Sequence, residues 1–183
     1  MSESSDEIDP REVAHHEAAH TVFHLKLGMR QGRVTIRPDA SRGTLGQAQL
    51  RRPKWINHPP TPAREEQRLR IQAENEILAL YAGRIAQAKY AGRGIDWGHE
   101  GDDQYAMRLA THCVSEQDDV RYAFLVYCQK QAAQAVEAWW PEIQAVAQAL
   151  FERKTLSARE CRDVIAAIPD EVYEEYHTRR REA

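Results

Sequence analysis

Apolar or chemically distinctive side chains recur at Val13, His16, Glu17, His20, Phe23 and Leu27, at steps of three and four. That spacing predicts one helix whose stripe faces inward. Asp9-Pro10 reads as an N-cap followed by proline at the first helical position, with Glu12 placed to close a capping box. Gly28 suits the left-handed residue that ends such a helix. The period then changes. GRVTIRP and GTLGQAQL flank the turn-rich PDASRG and predict a small β hairpin over residues 32–50. RRPKWINHPPTP carries too much proline for regular structure. From Ala63 to about Ala91, the positions Leu69, Ala73, Ile77, Leu80, Tyr81, Ile85 and Ala88 predict a long amphipathic helix. The glycines of AGRGIDWG end it and form a loop up to His99.

The remainder reads as helical. Residues 101–114 place Ala106, Leu109, Ala110 and Cys113 on one face, and residues 116–139 form an Ala-rich helix interrupted at Trp139-Trp140-Pro141. A further helix runs to about Arg153, and Ser157-x-x-Glu160 is a capping box opening a last short helix to Ile168. The expected class is mainly α with one small β hairpin. The expected organisation is a disordered segment 1–9, a single domain 10–168 and a charged, fraying tail 169–183, with no internal repeat.

Composition narrows the setting. The 183 residues suffice for one domain with a real core, and 42% hydrophobic with 29% charged residues is ordinary for a globular chain. A net charge of -3 supplies no broad basic field, so nucleic acid is not an expected partner. The basic RRPKW stretch reads as a solvated loop. No apolar run approaches a membrane span, and the acidic start MSESSDEIDP does not suit a signal peptide. Cys113, Cys128 and Cys161 are an odd number without close pairing, which fits buried thiols in a reduced, cytoplasmic setting.

The chemistry concentrates in H-H-E-A-A-H at residues 15–20. Four residues of helix turn the chain by about 400° and advance it by about 6 Å, so His16 and His20 project from one side and can reach one metal ion. Zinc favours imidazole nitrogen, and a catalytic site uses three protein ligands. Glu17 then stands beside the metal as a general base. A His-Glu-x-x-His match is weak by itself. On a capped helix and an inward stripe, however, two uncoordinated histidines would cost desolvation. His15 and His24 are expected to face solvent or to support the site rather than ligate. The third ligand is open. Phe23 and Lys26 stand where a metzincin needs glycine and histidine. Glu74 or Glu76 on the long helix is one source, and Asp102 or Asp103 in G-H-E-G-D-D at 98–103 is another.

Taken together, these segments resemble the peptidase domain of the FtsH-type zinc metalloproteases. A-H-H-E-A-A-H is similar to that family's metal helix, with Ala19 where glycine is usual. R-V-T-I-R-P with G-T-L-G resembles its β segment, and E-I-L-A-L-Y-A-G-R-I-A-Q (76–87) its long helix. G-H-E-G-D resembles the stretch with its third ligand, and A-V-A-Q-A-L-F-E-R-K-T-L-S (145–157) its C-terminal helix and turn. The likeness spans roughly Pro10 to Ile168. It implies Zn(2+) on His16, His20 and Asp102, with Glu17 as the catalytic base, in a helical peptidase fold. It further implies cleavage of internal peptide bonds, with substrate pairing as a strand beside the G-T-L-G segment.

The departures are Gln87 in place of glutamate, Gly101 in place of asparagine and Ala82 in place of a first glycine. No phosphate-binding loop, AAA-type ATPase or membrane anchor is found. The expectation is therefore a stand-alone, ATP-independent zinc metalloendopeptidase acting on peptides or unfolded protein. The alternative is a zinc-binding regulatory or interaction protein with little turnover. Both leave room for a homo-oligomer and for a separate unfoldase partner.

Overall fold

The structure is a computed structural model that describes residues 9–39, 41, 45–50, 63–94, 100–114 and 117–182. It is mainly helical. Helix α1 (Pro10–Lys26) leads into strands β1 (Gln31–Thr35) and β2 (Gln47–Leu50). Helices α2 (Ala63–Ala91), α3 (Glu100–Ala110), α4 (Asp118–Ala138) and α5 (Trp140–Arg153) follow. The chain closes with β3 (Thr155–Leu156), α6 (Ala158–Ala166) and α7 (Asp170–Glu182). No helix among the described residues is long and apolar enough to cross a membrane.

Helix α1 is the centre of the molecule, packed against α2, α5 and the sheet. It is buried nearly all round, not along one stripe: Ala14, Ala18, Ala19, Val22 and Phe23 are all inaccessible. Small residues dominate that surface, which lets its neighbours approach closely. Asp9 caps it alone by accepting from the Arg11 N–H, while the Glu12 carboxylate is turned to Arg93 and Gln87. The expected capping box is therefore not made. The C-terminus follows the expectation. Gly28 has φ +68, the Met29 N–H donates to the His24 carbonyl and the Gly28 N–H to that of Leu25, which is a Schellman motif.

The predicted hairpin is one part of a larger sheet. β1 pairs antiparallel with β2 (Val34 opposite Ala48) and, on its other edge, with β3 (Val34 opposite Leu156), giving the order β2-β1-β3. Lys154, left-handed at φ 66, ends α5 and turns the chain into β3. Across the new pair the Thr35 and Thr155 hydroxyls lie 2.8 Å apart. Ser157 and Glu160 form the expected reciprocal capping box on α6. Within the charged tail, residues 170–182 are helical, and the Tyr176 hydroxyl donates to Glu137 on α4. The expected bend at Trp139-Trp140 divides α4 from α5, with Phe23 edge-on to Trp139 at 4.8 Å between ring centres. The three cysteines are free and buried, and burial pushes each thiol up to about 12.

Candidate metal centre

Helix α1 presents His16 and His20 on the side that faces α2 and α3. Their Nε2 atoms are 2.9 Å apart. Asp102, in the first turn of α3, brings Oδ2 to 3.7 Å from His16 Nε2 and 3.6 Å from His20 Nε2. These three are a group among the described residues whose donor atoms converge closely enough to hold a metal ion. Tetrahedral ligands at zinc bond lengths of about 2.0–2.1 Å stand about 3.3 Å apart, and the three separations bracket that value. The donor set suits zinc but is not peculiar to it.

The hydrogen bonds behind the rings make the same point. His20 Nδ1 lies 2.7 Å from the Ala79 carbonyl, and His16 Nδ1 lies 3.1 Å from Gln87 Oε1. Both partners are acceptors, so in each neutral ring Nδ1 carries the proton and Nε2 keeps its lone pair. With both rings neutral and Nδ1 protonated, the two Nε2 lone pairs and the Asp102 carboxylate face one point, a donor set that fits a bound metal.

Glu17 lies beside this group and is only 7% exposed. Burial pushes its carboxyl up to about 7; His20 opposes the rise, Asp102 adds to it, and the Ala48 N–H donated from β2 lowers it. The site is closed on the histidine side and opens towards Asp102, whose side chain is one-third exposed. Two glycines permit this closeness. A Cβ at Gly83 of α2 would fall 2.6 Å from His20 Nε2, and one at Gly46, just before β2, would fall 2.8 Å from Glu17 Cγ.

The other sequence candidates go elsewhere. Glu74 and Glu76 stand outside the converging group. Asp102 lies one turn before the buried Ala106 and shares its packed face, whereas Asp103 is half exposed and pairs with Arg84 at 3.5 Å. His15 and His24 are both buried, contrary to a solvent-facing role. The His15 ring stacks on Tyr90 at 3.9 Å, and burial lowers its pKa. His24 bonds to Gln31. Gln87, Glu12, Gly83 and Gly46 carry parts of the site that periodicity did not assign; only Gln87 stood out, as a departure from the resembled pattern. Gly43, Thr44, RRPKW and Trp97 lie outside the described residues. No protein-family model matches this chain, and no curated protein matches it.

Proposed function

We propose that this chain is a zinc-dependent endopeptidase of the FtsH-like kind, acting on peptides or already unfolded protein, with His16, His20 and Asp102 as metal ligands and Glu17 as general base. The observation that carries the reading is the convergence of the His16, His20 and Asp102 ligand atoms beside the buried Glu17 carboxylate. The likeness of the motif series to the FtsH-type peptidases supports it independently.

Zinc held there would lower the pKa of water and polarise a scissile carbonyl. The protein's own part is proton handling and placement. Glu17 takes a proton from the attacking water and returns it to the leaving amine nitrogen. Helices α1 and α3 hold the ligands at fixed spacing, and the close approach of α2 excludes water from the histidine side.

Metal analysis and a casein-cleavage assay test this. The purified protein should hold about one zinc per chain, lost in His20→Ala and Asp102→Ala. Glu17→Gln should retain zinc while cleavage falls by about 10²–10⁴-fold. Equal cleavage by wild type and Glu17→Gln would sink the mechanism. Zinc retained with no cleavage by either would move the chain to the regulatory reading.

A further inference from the structure

Behind His16 a line of side chains runs out to the surface. His16 Nδ1 lies 3.1 Å from Gln87 Oε1. The Gln87 Nε2 group faces Glu12 Oε2 at 3.5 Å, and Glu12 Oε1 accepts from Arg93 Nη2 at 2.7 Å. Gln87 and Glu12 are buried, whereas Arg93 is more than half exposed.

The two histidines are oriented by unlike devices. His20 donates to the backbone carbonyl of Ala79, which can only accept. His16 depends on a side-chain amide, which has a donor end and an acceptor end. Turned over, Gln87 would offer N–H to His16 Nδ1. The neutral ring would then carry its proton on Nε2, where the metal needs a lone pair. Something must hold the amide one way round. A carboxylate can do so, because when ionised it accepts and never donates.

We propose that Glu12, fixed by Arg93, is a positioning residue for His16. By accepting from the Gln87 NH2 group it turns the amide oxygen to Nδ1 and keeps the Nε2 lone pair on the metal position. Helix capping does not require Glu12, since Asp9 caps α1 alone. The inference rests on the proposed metal site and names what tunes it.

Two measurements read it: zinc affinity by competition with a chelating dye, and the ring ¹⁵N shifts of His16 in metal-free protein. Glu12→Gln nearly preserves shape but can offer either amide end to Gln87. It is expected to weaken zinc binding by about 10–100-fold and to move the His16 ring away from a pure Nδ1–H form. Adding Gln87→Glu to Glu12→Gln moves the carboxylate next to the ring, where it accepts from Nδ1 whichever way it turns. That double variant should recover most of the affinity, a rescue that a merely structural role would not produce. Unchanged affinity or an unchanged His16 tautomer in Glu12→Gln overturns the proposal, as does a double variant that binds no more tightly. A wild type that binds no zinc would bring down the metal site itself, while the ring shifts of metal-free protein would still decide the role of Glu12. Should Glu12→Gln fail to fold, Arg93→Gln at the exposed end of the line is read on the same two measurements, with a smaller loss expected.

Discussion

A methyl group at Gly83 would stand 2.6 Å from His20 Nε2 and 2.9 Å from His16 Cε1, closer than unbonded heavy atoms approach. The obstacle lies at the ligands and not in the helix, since alanine is the better helix former. Gly83→Ala should therefore leave α2 formed while metal affinity drops by at least about tenfold, by analogy with other disturbances of ligand orientation. Far-UV circular dichroism with metal analysis checks both halves. A second residue-scale prediction concerns pH. Burial acts to raise the Glu137 carboxyl, but the Lys89 ammonium, 2.6 Å away, and the Tyr176 hydroxyl outweigh it and hold the group below its ordinary 4.5. A depressed carboxyl favours the fold when ionised, so the contribution is present above pH 4.5 and disappears as the pH falls through the lower folded value. Denaturation of wild type and Glu137→Gln should differ near neutral pH and converge below that point. Persistence of the gap in acid would contradict the assignment.

At the scale of elements, the two residues of β3 do more than their length suggests. Leu156 is fully buried and pairs with Val34, so it ties the end of α5 to the sheet beside α1. Leu156→Ala should cost about 2–5 kcal/mol, read from urea denaturation. Nothing in T-L as a dipeptide marks a strand, because alternation needs several residues to show. Only the return of α5 to β1, through the left-handed Lys154, creates the pairing. The reverse holds for α1 and α6, whose ends were legible. A glycine at a C′ position and a Ser-x-x-Glu box act within a few residues and need no distant partner. Glu12 shows the limit of such local rules. Its spacing suits a capping box, yet a carboxylate that can reach Arg93, two residues past the end of α2, takes the tertiary partner instead.

For the whole molecule, the proposed metal position would join α1 to α3, so ligand binding and folding would be linked. If zinc binds the folded chain alone, about a hundredfold excess over Kd contributes about 2.7 kcal/mol. For a chain of this length that corresponds to a rise in Tm of about 5–10 °C. Calorimetry before and after a chelator should show that drop in wild type and a much smaller one in Asp102→Ala.

Two histidines one helical turn apart, the glutamate between them, the C-terminal glycine of α1, the capping box of α6 and the mainly helical class were all readable from sequence. Each depends on spacing along a single element, which the covalent chain and the 3.6-residue turn dictate. Residue spacing left Asp102, Asp103, Glu74 and Glu76 as rivals; the likeness to a family chose Asp102, and the packed face of α3 brings that residue to the histidines. Only the tertiary structure showed that α1 is buried nearly all round, that Gly83 must be bare and that Gln87 and Glu12 stand behind His16. Those facts concern which surfaces meet across tens of residues. Close packing sets them, and local periodicity does not record it.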